Sequence, residues 1–284
     1  MLNGGLKKDA LTALDTAQKT YASICSDAQK AAETLFKARK SSSDKVIPEV
    51  EGYINSLANT PKEFDKTFAE YRAEFTVFSN LLHDLELEAQ AANFKAGGTA
   101  AAGIAAGVGT AAFAPTAAMA IATTFGTAST GTAISALSGA AATNAALAWL
   151  GGGALVAGGG GMSGGSALLA LAGPVGWAIG GAALVGGGLF ARSKNSKIAD
   201  EANHRRKELE VHIRRLNAAL QEIRRVLDLT QQHVNGVKVL LERLVSTAPD
   251  DYSDFSANQR ECIGSLVNHV KSLSALLNKK VDVK

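Results

Sequence analysis

Between Ala96 and Ala191 the chain carries no Asp, Glu, Lys, Arg or His, a run of 96 residues. Soluble domains place a charged side chain at roughly one position in four, so a run of this length needs either a lipid neighbour or a tightly packed interior. Its composition narrows the options further, because it holds 24 of the chain's 29 glycines and is otherwise mostly Ala, Leu, Val, Ser and Thr. Glycine costs about 1 kcal/mol per residue in a helix, and only Leu, Ile, Phe and Val enter the bilayer centre with clear favour. The stretch is apolar enough to span a bilayer but inserts weakly. It suits a protein that folds the segment away first and inserts it later.

A bilayer crossing takes about 20 mainly apolar residues. Helical spans are predicted over 100–125, 133–150 and 168–190, with a glycine-rich loop over 151–166. An even number of crossings, two or four, would leave both charged flanks on one side of the membrane. Gly103 and Gly107, Gly160 and Gly164, Gly161 and Gly165, and Gly176 and Gly180 stand four apart, the spacing that lets helix backbones approach closely in lipid. This glycine-zipper pattern predicts helix packing within the module and association of copies into a homo-oligomer. Trp149 and Trp177 are the expected interface aromatics, and Pro115 and Pro174 the expected bends.

The flanks are charged and periodic. Residues 1–95 have a net charge of −2 and residues 192–284 of +5. In the first flank Leu11, Leu14, Ala17, Tyr21, Ile24, Ala28, Ala31, Leu35 and Ala38 form one helical stripe, which the cluster Ser41-Ser42-Ser43-Asp44 is expected to end. Pro48 suits the first turn of a short second helix. Thr60-Pro61-Lys62-Glu63 reads as the start of a third, whose stripe runs from Phe64 through Phe68, Tyr71, Phe75 and Phe78 to Leu82 and Leu85.

In the second flank, Leu209, Ile213, Leu216, Leu220, Ile223, Leu227, Thr230, Val234, Val237, Leu241 and Leu244 follow a heptad. The helix carrying Phe64 is its expected partner. Ala248-Pro249-Asp250-Asp251 breaks this helix, and Ser256 to Gln259 reads as a capping box for the last one. The predicted class is all-α: an elongated bundle of long heptad-patterned helices flanking an Ala/Gly-rich hydrophobic helical module. Three parts follow, an N-terminal helical arm (1–95), a hydrophobic glycine-rich membrane-insertion module (96–191) and a C-terminal coiled-coil helical arm (192–284).

No constellation for chemistry emerges. His83, His204, His212, His233 and His269 are scattered, without a metal-binding spacing, and are expected at the surface. Cys25 and Cys262 are the only cysteines, too few for a disulfide framework or a cysteine-based zinc site, though a single bridge between the first and last helices stays open. The glycine runs lack the Gly-Lys-Ser/Thr ending of a phosphate loop. Arg205-Arg206-Lys207, Arg214-Arg215 and Arg224-Arg225 alternate with Glu208, Glu210, Glu222 and Asp228, which favours a solvated helix face over nucleic acid. The expectation is no enzyme, no catalytic or metal residues, no cofactor, no small-molecule substrate and no nucleic acid. The N-terminus lacks the basic start and apolar run of a signal peptide, so cytoplasmic synthesis followed by membrane insertion is expected.

This layout resembles the helical pore-forming toxins of the cytolysin A and haemolysin BL type, in which long heptad-patterned helices flank an apolar segment. The segment is held against the bundle and later enters the membrane. The resemblance is one of architecture, and the apolar segment here is much longer. The stretch from Thr127-Ala128-Ser129-Thr130-Gly131-Thr132 through Ala148-Trp149-Leu150-Gly151 also resembles glycine-rich hydrophobic modules of bacterial proteins. The resemblance implies a pore-forming effector or toxin whose partner is the lipid bilayer. The alternatives are a constitutive multi-pass membrane protein with a cytosolic coiled-coil partner-binding domain, and a soluble helical scaffold.

Overall fold

In a computed structural model of the chain, the described residues are 4–95, 124 and 195–281, without the side chains of 25, 29, 84–95 and 195. Helix makes up 91% of them and there is no strand, so the described part is all-α. The apolar stripe of the first flank forms α1, Gly4–Ser41. Leu14, Ala17, Tyr21, Ala28 and Leu35 are buried along it, as is Arg39 one turn beyond Leu35.

The serine cluster does not end the helical path, contrary to the reading above. Ser42 Oγ donates to the Ala38 carbonyl at 2.8 Å and Ser43 Oγ to the Lys40 carbonyl at 3.0 Å, so both hydroxyls bond back along the helix instead of capping it. The chain widens into a π turn over Ser42–Val46 and continues as α2, Ile47–Ser56, with Pro48 in its first turn. Pro48 has no N–H, which leaves the Ser43 carbonyl, five residues back, without its π-turn donor. Tyr71, on α3 (Lys62–Lys95), supplies one: its Oη donates to that carbonyl at 2.6 Å.

The second flank is α4, Asn195–Thr247, whose 53 residues extend about 80 Å at the α-helical rise. A 3₁₀ turn, Tyr252–Asp254, leads to α5, Ala257–Leu277. The expected capping box starts α5, with the Gln259 N–H donating to Ser256 Oγ and the Ser256 N–H to Gln259 Oε1 at 2.9 Å. The two connecting turns are pinned together. The Ala58 N–H donates to the Asp250 carbonyl and the Tyr252 N–H to the Ala58 carbonyl, each at 2.9 Å. Asn59, at φ 56°, donates through Nδ2 to Asp251 Oδ2 at 2.8 Å, and asparagine tolerates that left-handed backbone better than most residues.

The core divides along α4. Its first part, from Ala199 to Val226, packs on α1 through Ala202, Leu209, Leu216 and Ile223 against Leu14, Tyr21, Ala28 and Leu35. Its last part, Val237, Leu241 and Leu244, packs with α2, α3 and α5 through Ile47, Ile54, Phe68, Tyr71, Ile263 and Leu266. The principal partner of α4 is therefore α1, followed by α5, and not the helix carrying Phe64, which packs mainly on α5. Cys262 is a buried free thiol. Among the described residues the exposed large apolar side chains, Leu6, Val77, Val211, Val239 and Val245, are dispersed over α1, α3 and α4. The arms bury most of their own stripes.

Candidate functional site

The described residues bring the uncharged stretch onto the arms at one place, just past the end of α5. Thr124 is helical and fully buried, and its carbonyl accepts the Val281 N–H at 2.9 Å. Val281 is itself buried, in the same apolar cluster as α1 and the first part of α4. Burial of an unbonded amide is costly, so the Val281 N–H and the Thr124 carbonyl each give the other a reason to stay.

Two residues leading to this contact, Asn278 and Lys279, are tied to the arms as well. Asn278 closes α5, and its Nδ2 donates to the Glu74 carbonyl at 2.8 Å and to Glu74 Oε2 at 2.7 Å. Arg39, fully buried on α1, donates through Nη2 to the Lys279 carbonyl. Burial pulls the Arg39 guanidinium down to about 10, still far above neutral pH, so the charge is retained. Burial, then the charge of Arg39, pulls the neighbouring Lys280 down to about 8. One turn from Arg39 and from Glu74, the rings of Phe36 and Phe78 pack at 6.4 Å with Ala32 and Leu82 around them. The tail after α5 thus joins α3, α1 and Thr124 over a single turn's length of chain.

Arg39, Asn278, Lys279, Val281 and Thr124 were not singled out by sequence reasoning. Arg39 carried a signal, since it continues the row of Ala28, Ala32 and Leu35 along α1, where a charge is out of place. The tail carried none. Gly103, Gly107, Gly160, Gly164, Gly176, Gly180, Trp149 and Trp177 lie outside the described residues. Among the described residues no helix is long and apolar enough to cross a membrane, and no group of three or more His, Cys, Asp or Glu could hold a metal.

The histidines depart from expectation in part. His204 is exposed beside Glu208, but His212 is buried, and burial followed by Arg215 lowers its pKa against the opposing pull of Glu208. His233 and His269 meet across α4 and α5, with their Nδ1 atoms 2.8 Å apart. A Cβ at Gly236 would stand 2.5 Å from the His269 ring, so glycine makes room for the pair. In two of the basic clusters arginines pair with nearby glutamates, Arg205 with Glu201 at 2.8 Å, Arg206 with Glu210 at 2.6 Å and Arg225 with Glu222 at 3.1 Å. A cavity of about 240 Å³ lies between α2 and α4, lined by Val46, Tyr53, Val237 and Leu241 with Glu49, Lys238 and Glu242 at its edge. It is smaller than the roughly 300–1,000 Å³ of typical ligand pockets.

Comparison with protein-family models, with curated proteins and with solved structures finds no match to this chain.

Proposed function

We propose that this protein is a membrane-inserting, pore-forming effector. The two arms form an elongated, heptad-packed coiled-coil bundle. The module 96–191 is stored against that bundle, and it then enters a lipid bilayer as transmembrane helices. Copies associate into a homo-oligomer through the small-residue faces carrying Gly103, Gly107, Gly160, Gly164, Gly176 and Gly180, with Trp149 and Trp177 at the membrane interface.

One observation carries this reading: an uncharged stretch of 96 residues interrupts two arms that pack on each other. Because α3, which precedes the stretch, and α4, which follows it, share one core, the two helices that flank the stretch belong to one unit, which supports an even number of crossings. The buried Thr124 supports storage before insertion. A stretch of this length left in water would expose far more apolar surface than the few hundred Å² that soluble proteins tolerate in one patch.

Release of a trapped dye from liposomes tests the proposal. Purified full-length protein is added to vesicles of neutral and of anionic lipid, at neutral and acid pH, with and without limited proteolysis. Leakage that rises steeply with protein concentration is expected. No leakage under any of these conditions contradicts it.

A further inference from the structure

We propose that His233 and His269 form the protein half of a zinc site, a clamp that joins α4 to α5 through one Zn²⁺ ion completed by water. Every group it uses lies in the arms, so it stands apart from the membrane reading.

The two rings are 36 residues apart in sequence and come from different helices, so no spacing within one helix announces them. Antiparallel packing brings them level. The Cys262 thiol meets the Leu240 carbonyl at 3.9 Å about two turns away on each helix, which fixes the register of α4 on α5. Val237, Leu266 and Val270 are buried beside the pair, whereas both rings are half-buried. The backbones are held while water still reaches the imidazoles.

Imidazole nitrogen is a standard zinc ligand, and the two Nδ1 atoms stand 2.8 Å apart. Two nitrogens on one tetrahedral ion, with bonds of about 2.0 Å, stand about 3.3 Å apart, and their ring centres about 5.2 Å. The ring centres here are 5.1 Å apart. The rings therefore need only tilt in place to turn both Nδ1 lone pairs onto a shared ion. The ring whose Nδ1 carries the bridging proton passes it through water to its own Nε2, and both imidazoles stay neutral. No group of three or more His, Cys, Asp or Glu surrounds the pair among the described residues, so the other two positions of the ion fall to water.

Gly236 shows that the sequence makes way for the pair. A Cβ there would stand 2.5 Å from both Cε1 and Nε2 of His269. Glycine inside a helix costs about 1 kcal/mol relative to alanine. A hydrogen bond between two neutral rings returns about 1 kcal/mol, which only offsets that cost. A bound ion adds stability in proportion to its free concentration, and this the bare pair does not supply.

Calorimetric titration of the chelator-stripped full chain with zinc chloride tests the site. One saturable ion is expected. Its affinity should fall by more than about tenfold in His233→Gln, in His269→Gln and in Gly236→Ala, since loss of even an indirect partner of a metal site costs that much. Gly236→Ala keeps both ligands and favours helix, so it separates displacement of the His269 ring from loss of fold. His204, whose Nε2 lies 3.3 Å from Glu208 on the exposed face of α4, is the control, and His204→Gln should bind as the unaltered chain does. Zinc should also raise the urea midpoint of the unaltered chain and leave that of both His233→Gln and His269→Gln unmoved. No saturable binding overturns the proposal. So does binding that survives in both of these histidine variants, or that is lost in His204→Gln alone.

Discussion

Tyr71 and the Ser43 carbonyl illustrate how single groups decide the path of the chain. Pro48 deprives that carbonyl of a donor, and the phenol from α3 restores one inside the core. Burial, with smaller contributions from Glu51 and Asp44, pushes the Tyr71 hydroxyl up to about 12, so it remains a donor through the accessible pH range. Tyr71→Phe leaves a buried acceptor unsatisfied and is expected to destabilise the protein by about 1–3 kcal/mol. The urea midpoint at pH 7 checks this, and a change within measurement error would mean that water serves the carbonyl equally well. At this scale the chain was legible where local chemistry acts alone. Ser256 and Gln259 make the capping box their spacing predicts. Ser41 to Asp44 are misread as a stop because a serine hydroxyl can bond either forward as a cap or back along a helix, and Ser42 and Ser43 bond back, while the Ser43 carbonyl is met by Tyr71, 28 residues away.

Among the elements, α4 and α5 are joined by the contact of His233 with His269. One ring must donate and the other accept, so the contact requires at least one neutral imidazole. Burial first, then the charge of His269, lowers the pKa of His233 in the fold. The unfolded chain therefore takes up a proton before the folded one does, and stability falls as pH drops through the ordinary histidine value of about 6.5. His212, lowered by its own burial, acts in the same direction. The urea midpoint is expected to fall between pH 7 and pH 5, and replacing both His233 and His269 with Gln should flatten that dependence. An equal fall in the double variant would assign the effect elsewhere. The stripe of every helix could be read from spacing, but not its partner. An apolar seam accepts any complementary seam, so α4 could be expected to pack on α3, whereas α1 and α5 cover it. The π turn that carries the chain from α1 into α2 contributes to that choice, because it lays α2 beside the last turns of α4.

For the whole molecule, the all-α class of the described residues followed from periodicity, and the uncharged stretch between two charged flanks is a property of the sequence itself. The contact between stretch and arms followed from neither. It depends on backbone groups of Thr124 and Val281 and on an irregular tail, which leave no trace in side-chain pattern. The central claim is that the stretch is first held on the arms and then enters lipid. Both tryptophans of the chain, Trp149 and Trp177, lie within the stretch, so intrinsic tryptophan emission reports on that stretch alone. Emission is recorded on adding vesicles whose acyl chains carry bromine, a contact quencher, beside unbrominated vesicles that show leakage. Insertion predicts a blue shift with plain vesicles and strong quenching with brominated ones. Emission that stays the same with both, for protein that leaks or binds the vesicles, would contradict it.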